Sequence, residues 1–136
     1  MDTIVLIHSH LRHLVFAFGL VTILVALVPT VRRTPLPSYG RLTYRLFLWL
    51  LTIQMVLGII QIIARWDQFG DYVWYRFFHG LTMIAAISFG HLGLRYVKRT
   101  DLQGARFTLY VVVIVAIMII AGILILPHGR YLLGLA

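Results

Sequence analysis

Long apolar stretches separated by short polar connections dominate this sequence. Each stretch has roughly 20 residues or more, the length an α-helix needs to cross a hydrocarbon core of about 30 Å. They predict transmembrane helices at about residues 3–28, 44–64, 74–97 and 107–126, the first ending at Pro29 and the last at Pro127 and Gly129. The sequence therefore predicts an all-α integral membrane protein in which residues 1–136 form one domain.

The connections and their charges predict how the helices are arranged. Short connections favour an antiparallel four-helix bundle. Positive residues concentrate in and beside loops 29–43 and 98–106, which contain or adjoin Arg32, Arg33, Arg41, Arg45, Arg95, Lys98, Arg99 and Arg106. Loops rich in Lys and Arg stay in the cytoplasm, whereas the middle connection has balanced charges and an aromatic belt formed by Trp66, Tyr72, Trp74 and Tyr75. We therefore expect a multi-pass protein of the bacterial inner membrane with both termini on the outer side.

Composition narrows the possible chemistry. The chain is 61% hydrophobic and 12% charged, which is incompatible with a soluble globular domain. Its net charge of +8 lies in loops between apolar runs, so we expect no nucleic-acid partner. Without cysteine, disulfides, thiolate metal sites, cysteine nucleophiles and covalent haem attachment are excluded. The carboxylates occur only in loops or at the N-terminus, so no catalytic residue is assigned and an electron carrier is favoured over an enzyme.

Six histidines are the unusual feature, because ionisable groups at membrane depth tend to mark cofactors or ion paths. His8, His10 and His13 belong to the outer half of helix 1, and His79 to the outer part of helix 3. Two imidazoles facing each other across a bundle can hold the iron of a b-type haem. The alternative is that these histidines lie at the membrane interface beside the aromatic belt. By depth, His13 and His79 form one possible pair of ligands.

Helix 3 has a second histidine, His91, near its inner end. A separation of twelve residues corresponds to about 18 Å along a helix and to about 120° around it. The distance suits two haems on opposite sides of the membrane, but His79 and His91 must then face different partner helices. In helix 2, Gln54 and Gln61 are expected to face the bundle and hydrogen-bond between helices.

Several short motifs resemble a known family. They are Leu6-Ile7-His8-Ser9-His10-Leu11-Arg12, the stretch Leu51 to Gly58, Phe78-His79-Gly80-Leu81-Thr82-Met83, and Gly90-His91 followed by Lys98-Arg99. Together they are similar to small bacterial four-helix membrane proteins labelled cytochrome b. The resemblance implies an outer haem b between helices 1 and 3, with His8 as the helix 1 ligand, and an inner haem between helices 2 and 3.

One position departs from that family. Thr52 stands where the resemblance implies a helix 2 histidine, and a threonine hydroxyl is a poor ligand for haem iron. The inner site at His91 could therefore be empty, five-coordinate or filled by a lipid or quinone. At the outer site, the second ligand beside His79 is His8 according to the family motif or His13 according to predicted depth. His10 is a third possible ligand. The candidate cofactor-binding residues are His8, His13, His79 and His91, with His8, His13 and His79 as candidate ligands of the metal.

These observations favour a membrane-bound b-type cytochrome. It would carry one haem, or two if the inner site is filled, and pass single electrons to or from a quinone or a larger respiratory or photosynthetic complex. The rival is a haem-free accessory subunit of such a complex, packed among its membrane subunits and the lipid bilayer. A third reading is a transporter-like metal site built from His8, His10 and His13.

Overall fold

The computed structural model describes residues 2–66 and 70–129. Within these ranges the chain forms four long helices and no strand: α1 (Asp2–Arg32), α2 (Ser38–Ala64), α3 (Val73–Val97) and α4 (Leu102–Leu124), with a short 3₁₀ turn at Gly70–Tyr72. All four are long and apolar enough to cross a membrane. The prediction of an all-α protein with four membrane-spanning helices is confirmed.

The helices pack as a four-helix bundle in which each contacts two main neighbours. α1 packs against α2 and α4, and α3 also packs against α2 and α4, so α1 and α3 lie diagonally across the bundle. At one end, Tyr44 of α2 donates a 2.6 Å hydrogen bond to the Gly90 carbonyl of α3. This end, called the basic end below, carries the α1–α2 and α3–α4 connections with their arginines and lysines. The opposite end is called the cavity end.

α1 does not end at Pro29 as predicted but continues to Arg32. Proline lacks an N–H group, so Pro29 cannot donate the usual hydrogen bond to the Val25 carbonyl, but its backbone φ is compatible with a helix and the helix continues for three more residues. The Thr34 N–H donates to the Pro29 carbonyl at 2.9 Å, and Arg33 adopts a positive φ of 53°. This is the pattern of a Schellman ending, with an arginine at the position that usually holds glycine.

α4 starts at Leu102, five residues before the predicted boundary, because Asp101 caps it. The Asp101 carboxylate accepts a 3.1 Å hydrogen bond from the Gly104 N–H and a 2.7 Å ion-pair contact from Arg99. α2 likewise begins early, at Ser38, directly after Pro37. The first turns of both helices thus include residues assigned from hydropathy to polar loops.

The basic half of the bundle is tightly packed. Tyr44, Phe47 and Leu48 of α2 are at most 3% exposed. A methyl group at Gly90 would lie 2.6 Å from Leu48 Cδ2, and one at Gly93 would overlap the Tyr44 hydroxyl. Gly90 and Gly93 therefore let α2 and α4 each pack closely against α3, which is the usual role of glycine between membrane helices.

Candidate cofactor cavity

The packed core gives way to a cavity toward the other end of the bundle. Its volume is about 430 Å³, within the range of small-molecule and cofactor sites. Val15, Leu51, Ile87 and Ile119 are both buried core residues and part of the cavity wall. They contribute one residue from each helix, so the cavity is built on the same four elements that form the core.

His79 of α3 lines this cavity and is held in place by α4. Its Nδ1 lies 2.7 Å from the Gly122 carbonyl, which can only accept a hydrogen bond, so Nδ1 carries the proton. Nε2 is then the nitrogen left to bind a metal or another ligand. In metal-binding histidines, a hydrogen bond from the ring nitrogen that does not bind the metal normally fixes the tautomer and the orientation of the ring.

Gly122 also explains why α3 and α4 meet so closely at this hydrogen bond. It is buried, and a methyl group on it would overlap Met83 of α3 and lie 3.3 Å from the Thr82 Cγ2 atom. The carbonyl can reach His79 because no side chain separates the two backbones. Sequence reasoning missed this residue, since a glycine within an apolar run does not reveal which side chain its carbonyl meets.

His8 of α1 lines the cavity from the diagonal helix. Its backbone carbonyl accepts a 2.8 Å hydrogen bond from Gln54 Nε2, and farther along α1 the Ile4 carbonyl accepts one from Gln61 Nε2 at 3.3 Å. The prediction that both glutamines hydrogen-bond between helices is confirmed. The imidazole lies over Gly58, where a methyl group would come within 3.3 Å of His8 Cε1.

Three buried polar atoms belong to the residues of the cavity wall and have no hydrogen-bond partner among the described residues. They are His8 Nδ1, Arg12 Nε and Gln54 Oε1. A buried polar group without a partner destabilises a fold by about 1–3 kcal/mol, so such groups are rare and mark a place where a polar ligand or water can bind. Both donor and acceptor atoms occur, as expected for a cavity that receives a partly polar molecule.

The cavity wall is also positively charged. Arg12 lies one turn from His8 on α1, and Arg76 lies one turn from His79 on α3. Among the side chains described, the wall includes no carboxylate that would neutralise them. An apolar ligand with acidic groups matches this combination of apolar walls and guanidinium groups.

His13 and His10 of α1 are exposed and do not belong to the cavity wall. The sequence predicts similar depths for His13 and His79, but five residues at about 100° each place His13 about 140° around the helix from His8. Depth alone therefore does not tell which side of α1 faces the cavity. Of the three histidines in this helix, His8 is the one that lines the cavity.

His91 is exposed and lies outside the cavity wall, as does His128 after α4. The Nε2 atom of His91 is 3.4 Å from Thr52 Oγ1, and that hydroxyl donates to the Leu48 carbonyl at 2.8 Å. Thr52 can then only accept from His91. The threonine that replaces the expected helix 2 histidine thus gives His91 a weak polar partner rather than a shared metal.

No group of three or more potential metal ligands occurs within residues 2–66 and 70–129. The transporter-like site of His8, His10 and His13 therefore has no support, and His8, His13 and His79 do not form a common ligand group either. A haem with two axial histidines needs only two protein ligands, because the macrocycle supplies the other four.

The chain matches no protein-family model, no curated protein and no solved structure. The resemblance to small four-helix cytochromes b therefore stays an expectation from the short motifs described above. A fold of four helices does not define a function, whereas the chemistry of the cavity limits what the protein can bind.

Proposed function

We propose that this protein is a membrane-bound b-type cytochrome with one haem in the cavity, held by His79 and His8. The observation that carries the proposal is that histidines of two diagonal helices line one cavity whose walls contain buried polar atoms without partners. Haem would supply a reversible one-electron iron couple there. The protein would act as an electron carrier.

The residues of the cavity have distinct roles in this proposal. His79 presents Nε2 because the Gly122 carbonyl holds Nδ1. Arg12 and Arg76 offer guanidinium groups to the two acidic side chains of a haem. The largely apolar walls lower the local dielectric, which makes the electrostatic influence of these groups stronger.

A single haem is proposed because the basic half of the bundle has little room for a second. Tyr44 and Phe47 fill the interior there, and His91 faces outward against Thr52. An inner haem would require Tyr44 to leave its hydrogen bond with Gly90. The inner position implied by the family resemblance is therefore not part of the proposal.

We further propose that the bundle is antiparallel, with the basic end in the cytoplasm and both termini outside a bacterial inner membrane. Contacts between α1 and α2 support the antiparallel arrangement: Ile4 pairs with Gln61, His8 with Gln54, and Gly19 with Phe47. The lysines and arginines of the basic end support the orientation. The haem would then exchange electrons near the outer leaflet, with a quinone or with another membrane subunit.

The test is a reduced-minus-oxidised optical spectrum of the purified full-length protein, with a pyridine haemochrome assay to count haem. We expect a b-type spectrum and one haem per chain. His79→Ala should abolish the spectrum, whereas His13→Ala, an exposed histidine outside the cavity, should leave it unchanged. A colourless wild-type protein purified from haem-sufficient cells, and not reconstituted by added haemin, would refute the cytochrome and favour the haem-free accessory subunit.

A further inference from the structure

The two histidines of the cavity are held very differently. The His79 ring is fixed by a 2.7 Å hydrogen bond to the buried Gly122, across the close α3–α4 contact. The His8 ring has no such support, because its Nδ1 is buried without a partner among the described residues. Gln54 anchors the His8 backbone at 2.8 Å but not the ring.

This asymmetry affects how strongly each ring would bind a metal. A hydrogen bond from Nδ1 orients the imidazole in advance and makes Nε2 more basic, and losing such support typically lowers metal affinity about 10–100-fold. His79 has this support and His8 lacks it. The His8 ring also lies over Gly58, where an added methyl group would come within 3.3 Å of its Cε1 atom, so the position of the ring depends on a glycine at this site.

Resting on the proposed function, we infer that His79 is the permanent axial ligand and His8 the exchangeable one, so that a small neutral molecule can take the place of His8. Breaking one coordination bond and forming another moves no electrons and no protons. Besides Arg12, the cavity wall includes apolar residues such as Val5, Ile59 and Ile62, and an uncharged diatomic ligand needs no carboxylate or other counter-charge among them.

The experiment uses the full-length haem-loaded protein in detergent and compares wild type with His8→Ala, His79→Ala and His13→Ala. Haem affinity is measured by titrating the apoprotein, and exchange by adding carbon monoxide after dithionite reduction. We expect His8→Ala to keep its haem and bind carbon monoxide fully, and His79→Ala to bind haem about 10–100-fold more weakly than His8→Ala. His13→Ala should behave as wild type in both measurements.

Folding defects are separated from ligand loss by rescue. His79→Gly with free imidazole should regain haem if the cavity is intact, since imidazole replaces the missing side chain. The inference is overturned if His8→Ala loses haem as severely as His79→Ala, or if His79→Ala is the variant that keeps haem and binds carbon monoxide. A wild-type protein that binds no haem refutes the proposed function itself, a result distinct from either of these.

Discussion

At the scale of single residues, glycine positions decide where side chains of the cavity can lie. Gly58 and Gly80 both belong to the cavity wall, but they differ in their surroundings. A methyl group at Gly58 would lie 3.3 Å from His8 Cε1, closer than most such contacts, whereas one at Gly80 would meet Ile62 Cδ1 at an ordinary 3.7 Å. The two positions therefore offer a matched pair of substitutions.

We expect Gly58→Ala to displace the His8 ring and to increase the fraction of reduced, haem-loaded protein that binds carbon monoxide. Gly80→Ala should leave that fraction near the wild-type value, because the added methyl group fits. Carbon monoxide difference spectra at equal haem content compare the two. Equal behaviour of both variants would contradict the role assigned to Gly58.

Tyr44 provides a second prediction, in the part of the bundle away from the cavity. Tyr44→Phe removes the buried 2.6 Å hydrogen bond to the Gly90 carbonyl and keeps the aromatic ring. The free energy of unfolding should fall by about 1 kcal/mol, with haem content unchanged. Thermal unfolding in detergent measures the first quantity and the haemochrome assay the second. Loss of haem in this variant would indicate that the two halves of the bundle are not independent.

At the scale of helices, the Asp101 cap makes the start of α4 sensitive to acid. The hydrogen bond from Arg99, with a smaller contribution from the Gly104 N–H, holds the pKa of the Asp101 carboxyl below its ordinary value of 3.8. A carboxyl with a depressed pKa in the folded state stabilises the protein above its unfolded pKa, and this contribution is lost as pH falls through the folded pKa.

We therefore expect Asp101→Ala to lower the unfolding temperature at neutral pH and to have little effect at pH values well below 3.8. Asp101→Asn, which retains a capping oxygen but loses the charge that pairs with Arg99, should restore only a small part of the loss at neutral pH. Unfolding temperatures measured in detergent across this pH range provide the check. A penalty for Asp101→Ala that persists unchanged in strong acid would show that the charge is not involved.

The helices themselves could be predicted from the sequence because hydropathy alone identifies segments of membrane-spanning length. The ends of the helices could not be predicted in the same way. Pro29 was expected to end the first helix, but the helix continues to Arg32. Asp101 was assigned to a loop, although it is the N-cap of α4. His8 and His79 were found because histidine is rare inside membranes. Which of His8 and His13 lines the cavity depends on how α1 is rotated about its axis, which the sequence does not show. The hydrogen bond between His79 and the Gly122 carbonyl joins residues 43 positions apart, so the sequence does not show it either.

At the scale of the whole molecule, the absence of cysteine makes the proposed orientation easy to test. Single cysteines replace Thr34 and Thr100 at the basic end and Tyr72 at the cavity end. A membrane-impermeant maleimide should label Tyr72→Cys in spheroplasts, and label the two threonine variants only after the membrane is opened. Labelling of Thr34→Cys or Thr100→Cys in sealed spheroplasts would contradict the proposed orientation and place the basic end outside.

The division of the bundle into a filled half and a hollow half has a consequence for biogenesis. Because Tyr44, Phe47 and Leu48 are buried in a core at the basic end, we expect that the chain can be inserted and folded before the proposed haem binds. Haem would then bind as a late step, after the bundle has folded. The newly made apoprotein should be a stable intermediate that waits in the membrane rather than a misfolded product cleared by proteases.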